Sequence, residues 1–183
     1  MNLTGQIIVS MPSLEDERFY KTVIYICAHS SEGSMGIIIN KKIDYDLYPD
    51  LLQQLGIDKP LNNKKLFIRY GGPVESGRGF VLHSDDMVRK ETLNIDKGVA
   101  LTSTAEFFDD LSKGKGPKNC ILALGYAGWQ PGQLESEIMR NSWMSLSVDN
   151  SFLFDDEVSR KWSQAYKLMG FDPNSLSFES GQA

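Results

Sequence analysis

The side chains that stand out in this 183-residue chain as candidates for chemistry are His29 and His83, Cys27 and Cys120, and Arg78 set between glycines. Each histidine ends an apolar, β-branched run, the position where functional groups gather at strand ends. Cys27 stands two residues before His29, and such residues share a face of a regular strand. A Cys–His nucleophile pair is therefore formally available, although Cys27 sits in a run that reads as core. A metal site needs more ligands than two histidines, and the cysteines form no Cys-x-x-Cys, so no metal and no cofactor is expected. There is no Gly-x-Ser-x-Gly elbow and no helical His-x-x-x-His pair. The run Gly72 to Gly79 (GPVESGRG) has P-loop glycine spacing, but Arg78 stands where Lys belongs and Gly79 where Ser or Thr belongs. A strand pattern follows it, not a helix, so nucleotide hydrolysis is rejected. Gly77-x-Gly79 alone is no dinucleotide fingerprint. These glycines are expected to make a tight turn from which Arg78 projects, to clamp a carboxylate or phosphate or to form a structural ion pair.

The densest stretch is Gly125 to Trp143, GYAGWQPGQLESEIMRNSW. It leaves the apolar run Asn119 to Leu124, and its glycines and Pro131 predict a turn leading into a short helix. Leu134 and Ile138 are four apart and face the core. Gln133, Glu137 and Asn141 form a polar stripe, with Glu135 pointing elsewhere. The stripe reads either as a solvated helix face or as a ligand-binding edge beside a glycine turn, where helix-start N–H groups attract anions.

The rest of the chain has to position these groups. Residues Leu3 to Met11 and Thr22 to Cys27 read as strands, and Met35 to Asn40 returns after a turn over His29 to Ser34 as a hairpin. Leu47 to Leu55 reads as a short helix. Leu66 to Tyr70 and Gly79 to His83 are strands separated by Gly71-Gly72-Pro73-Val74, and Lys90 to Leu101 is a further hairpin. Ser103 to Glu106 is a capping box before a helix that turns Phe107, Phe108 and Leu111 inward and stops near Gly114. Trp143 to Val148 alternates like a strand. Asp155 is expected to cap a last helix that buries Val158, Trp162, Ala165 and Met169. Strands outnumber helices without regular alternation, which points to a single α+β domain.

Composition narrows the function classes. Apolar content of 41% and charged content of 23% are those of a soluble globular protein. A formal net charge of −5 argues against nucleic-acid binding through the whole surface. The basic loop Lys113 to Lys118 reads as solvated or as a local phosphate contact. No apolar run approaches a bilayer span and no secretory leader is visible, so no membrane association and a cytoplasmic location are expected. The cysteines are expected to be buried free thiols.

Five blocks, taken together, carry a resemblance. They are Met11-Pro12; Val23-Ile24-Tyr25 to His29; Glu32-Gly33-Ser34-Met35-Gly36 to Asn40; Gly71-Gly72-Pro73-Val74 with Arg78 to His83; and Gly125 to Trp129 with Gly132-Gln133-Leu134-Glu135. In this order the chain resembles the YqgE/AlgH family of bacterial proteins over nearly its whole length. It departs from the family pattern at Ala28, at Lys41-Lys42 and at Gly181-Gln182-Ala183. The resemblance implies one α+β domain whose mixed, bifurcated β-sheet curls into a pseudo-barrel with short helices packed outside. It also implies a transcriptional-regulator label without established catalytic residues. No helix-turn-helix pattern supports direct DNA binding. The expected role is non-enzymatic, regulatory or protein-interacting, with a protein partner. The alternative is a small-molecule or anion binder, or an enzyme of unknown reaction, using a polar pocket beside the glycine turns. The candidate ligand or partner surface is Asn40, Arg78, His83, Trp129, Gln133 and Glu135.

Overall fold

The computed structural model describes residues 2–43, 53 and 68–172. Among the described residues nine strands form one mixed sheet: β1 (Ile7–Ser10), β2 (Val23–Ser30), β3 (Gly33–Ile38), β4 (Ile68–Tyr70), β5 (Val74–Ser84), β6 (Leu93–Asp96), β7 (Val99–Thr102), β8 (Cys120–Trp129) and β9 (Trp143–Leu146). Among the described residues the helical segments described end to end are α1 (Ala105–Ser112), α2 (Gln133–Met139), α3 (Asn150–Phe154) and α4 (Lys161–Leu168), with single 3-10 turns at Glu17–Phe19 and Val158–Arg160. Most of the expected helix over Leu47 to Leu55 and the tail beyond Asp172 lie outside the described residues.

The main path of the sheet runs β6-β7-β5-β8-β3-β2-β1-β9. Its two ends do not pair, so the sheet is open and not a closed barrel. It forks at β8. One edge of β8 pairs with β5; the other takes β4 in parallel along Leu122 to Leu124, then β3 antiparallel along Ala127 to Trp129.

The apolar runs are continuous because both faces of the sheet are covered. On one face Ile7, Val23, Tyr25, Phe80, Leu82 and Ala123 pack beneath Leu153 of α3 and Trp162, Ala165 and Tyr166 of α4. On the other, Val81, Leu122 and Leu124 meet Phe107, Phe108 and Leu111 of α1, and Ile8, Ile24, Ile38, Ala127 and Trp129 meet Leu134 of α2.

The glycines at the fork are explained by contact, not by a turn. The apolar strand expected to end at Leu124 continues to Trp129. Gly125 takes φ 69°, and the alternation inverts there: Leu124 faces the α1 side, Tyr126 packs on the α3–α4 side, and Ala127 returns to the first side. The link from β4 to β5 crosses β8 at this point. A Cβ on Gly71 would lie 2.2 Å from the Gly125 carbonyl oxygen, and one on Gly72 would lie 2.1 Å from the Tyr126 carbonyl carbon. Only residues without a Cβ let the two backbones meet so closely. Gly71 also closes the fork, donating its N–H to Leu124 and accepting from Ile38.

Other local expectations shift for physical reasons. The β2–β3 hairpin is tighter than expected, since His29 and Ser30 stay in β2 and Gly33 and Ser34 in β3. Pro131 precedes α2 rather than starting it, and Gly132 at φ 73° is the N-cap. Thr104, not Ser103, caps α1, without a side-chain bond. The Ser103 hydroxyl is instead engaged by Arg78. Asp155 follows α3, and the last helix starts only at Lys161.

Candidate functional site

Two polar centres emerge, on opposite faces of the forked sheet. The first is built around Glu137, on the stripe anticipated for α2. Its Oε2 accepts from Trp129 Nε1 at 2.9 Å and from Trp143 Nε1 at 2.8 Å. Its Oε1 accepts from Gln133 Nε2 at 2.8 Å, and Gln133 Oε1 takes the Gln130 N–H. Both indoles are buried and meet edge to face, with centroids 6.1 Å apart. Glu135, on another side of the helix, meets His29 Nε2 at 3.0 Å. Its own backbone N–H and then the His29 imidazole hold this carboxyl below its ordinary range. The His29 side chain is only 4% exposed, and its Nδ1 makes no hydrogen bond among the described residues. This centre pins α2 to β2, β8 and β9.

The Cys27–His29 pair does not form. A bulge between Ile26 and Ala28 breaks the alternation of β2. Cys27 packs in the α3–α4 core while His29 meets α2 on the other side. Burial pushes the Cys27 thiol up, away from thiolate.

The second centre surrounds Arg78. No tight turn presents it. Between Val74, opposite Tyr126, and Gly79, opposite Leu124, β5 makes an excursion away from β8. Glu75 takes φ 47° within it. Arg78 folds back over the Phe80 ring, its guanidinium carbon 5.1 Å from the centroid. One terminal nitrogen donates to Glu75 Oε2 at 3.0 Å and the other to Ser103 Oγ at 2.8 Å. The guanidinium remains about half exposed. It stands over a groove of about 280 Å³ whose apolar floor takes one side chain from each of five adjacent strands: Met35, Tyr126, Phe80, Leu101 and Leu93. Glu91 stands on the rim. The groove is the part of this face left open by α3 and α4.

The six sequence-derived positions thus fall into separate places. Trp129 and Gln133 meet through Glu137, with Glu135 on the same helix. Arg78 lies in the groove. His83 is fully buried, its ring tilted against Phe107, with Nδ1 bonded to the Ser84 carbonyl and Nε2 to Thr102. Burial lowers its pKa. Asn40 ties two segments, accepting from Val23 N–H and donating to the Lys21 carbonyl. The sequence reading passed over Glu137 as a site residue and missed Tyr126, Ser103 and the rest of the groove. A carboxylate placed eight residues after one tryptophan and six before another was the available signal for Glu137. The lysine loop is threaded with acids: Lys113 pairs with Asp109 and the Lys118 N–H bonds Asp86.

Known proteins place the chain. A family model described as AlgH-like matches residues 7–174. The chain belongs to the AlgH-like family. A UPF0301 protein of Rhodopseudomonas palustris is 49% identical over 99% of this chain and 89% of its own length. Another, from a Jannaschia species, is 44% identical over 100% of this chain and 96% of its own. The solution structure of AlgH from Pseudomonas aeruginosa superposes with a TM-score of 0.79 at 32% identity, covering 100% of this chain and 97% of that one. A Corynebacterium diphtheriae crystal structure, 19% identical, shares the fold with a TM-score of 0.68 over 92% of this chain and 87% of its own. The mixed, forked α+β sheet is therefore that of the family. Among the described residues no helix is long and apolar enough to cross a membrane.

Proposed function

We propose that this AlgH-like chain is a non-catalytic binding protein that recognises an anionic group at Arg78 and regulates through that bound state. One observation carries the reading: a half-exposed guanidinium, oriented by Ser103 and laid on an aromatic ring, stands over an open apolar-floored groove. Small-molecule sites are concave, largely apolar and equipped with a few placed polar groups, and arginine is suited to planar anions. The groups able to do nucleophilic or acid–base work have other duties. Cys27 is packed in the core, His83 is buried with both nitrogens bonded, and His29 is tied to Glu135. A wider groove of about 570 Å³ beside α3 and α4 carries Asp149 and Lys167, but Asp149 is engaged in capping α3.

The test is an amide-resonance titration of the folded chain with three probes: inorganic phosphate, sodium benzoate and an acidic heptapeptide. At least one should move the resonances of Arg78, Ser103 and Tyr126, and Arg78→Gln should abolish that response. If none moves them, or if Arg78→Gln responds like the wild type, the reading fails.

A further inference from the structure

The groove already holds an anion of its own. Glu75 belongs to the unpaired excursion of β5, and its carboxylate sits 3.0 Å from the Arg78 guanidinium. Its φ of 47° is a backbone conformation that non-glycine residues adopt at a cost. Gly77, two residues on, has nothing within 4 Å of where a Cβ would lie, so the excursion is not wedged in place at that point. The Glu75 and Arg78 side chains are 46% and 54% exposed, and an exposed ion pair of this kind is weak. The opposite side of the guanidinium is fixed differently, by Ser103 at the start of α1 and by the Phe80 ring beneath. One contact of Arg78 is therefore exchangeable, and the rest of its setting is built.

We propose that Glu75 is a displaceable internal carboxylate, and that the groove takes a small monocarboxylate with an apolar body, which replaces Glu75 on Arg78. This rests on the binding reading above and names its ligand class and its gate. The chemistry follows from the occupant: what Arg78 holds at rest is a carboxylate. The body follows from the floor, where Met35, Tyr126, Phe80, Leu101 and Leu93 form a row across five strands. The volume, about 280 Å³, is at the small end for a ligand site. The Glu91 carboxylate on the rim repels a second negative charge, which favours one carboxylate over two. Binding releases the Glu75 side chain to solvent.

Affinities of wild type, Glu75→Gln and Arg78→Gln for benzoate and hexanoate, with benzamide as the neutral control, test this. Glu75→Gln keeps the size of the side chain and removes the competing charge. It should tighten both carboxylates by about two- to fivefold, the worth of an exposed ion pair. Arg78→Gln should lose them, and benzamide should bind none of the three proteins measurably. Equal or weaker carboxylate affinity in Glu75→Gln overturns the gate while leaving the binding reading intact. If phosphate or the acidic peptide binds through Arg78 and neither carboxylate does, the ligand class is overturned and the binding reading again survives. If no anion binds even Glu75→Gln, both fall together. Backbone resonances outside residues 74–79 should stay unmoved in Glu75→Gln, which separates a lost gate from a lost fold.

Discussion

Glu137 offers the sharpest test of how this fold is held. Its carboxylate accepts three hydrogen bonds, two of them from buried indoles. In Glu137→Ala the Trp129 and Trp143 N–H groups stay buried without that acceptor. An orphaned buried donor costs about 1–3 kcal/mol, so two of them, with the Gln133 contact, give a loss of about 3–5 kcal/mol. For a domain of this size the melting midpoint should then fall by roughly 6–20 °C. Glu137→Gln should be milder, at about 1–2 kcal/mol, because one oxygen can still accept from both indoles while the new amide opposes the Gln133 amide. Urea unfolding followed by far-ultraviolet circular dichroism measures both, free of interference from the altered tryptophan fluorescence. The two indole N–H resonances should also move upfield together in Glu137→Ala. A loss under about 1 kcal/mol, or equal losses in the two variants, would refute the reasoning that this one carboxylate is what satisfies the tryptophan pair.

Three further outcomes follow from the same structure. Burial holds the Lys161 ammonium down at about 8 against an ordinary 10.5, so unfolding takes up a proton between those values and the lysine's contribution to stability should rise with pH across that window. The buried Cys27 thiol, whose pKa is raised above its ordinary 9.0, acts in the opposite sense above that pH, so the quantity to read is wild type minus Lys161→Met, and a difference flat in pH would contradict the assignment. Gly71→Ala and Gly72→Ala drive a methyl into the β8 backbone and should each cost more than about 4 kcal/mol or prevent folding, whereas Gly77→Ala should be neutral or stabilising by up to about 1 kcal/mol in the same unfolding assay. A thiol reagent should label the half-buried Cys120 in the native protein and Cys27 only as fast as the chain unfolds; equal native rates would sink the core placement.

Much of the fold was legible because it rests on local pattern. The runs around Val23, Ile37 and Ile121 are apolar on both sides, and the structure covers both sides. Phe107, Phe108 and Leu111 were readable as an inward stripe, and so were Val158, Trp162 and Ala165. What was not legible depends on partners far along the chain. Gly71, Gly72 and Gly125 look like turn residues, yet they mark a place where two distant backbones touch. The bulge at Cys27 has no local signature, and it alone separates Cys27 from His29. Ser103 fits a capping box, but a guanidinium 25 residues earlier claims its hydroxyl. Arg78 was identifiable as a group to watch; its floor was not, since five strands contribute one side chain each. Trp129 and Gln133 were read as surface before the carboxylate joining them could be seen.

The crossing of β4 into β5 over β8 has a consequence for the order of events during synthesis. Strands β4 and β5 are neighbours in the chain, but β8 lies between them in the sheet and is made later. Until residues 120–129 emerge from the ribosome, β4 can bond, among the described residues, only the segment Lys41 to Ile43 and Ile38 through Gly71, and β5 has only β7. The strand that arrives late is also the one that joins both halves of the sheet, so it acts as a keystone. A nascent chain stopped short of Cys120 can form the β2–β3 hairpin but lacks the strand that pairs with both β3 and β5. Such a chain presents open strand edges, the kind of surface that chaperones hold and that aggregates when they do not.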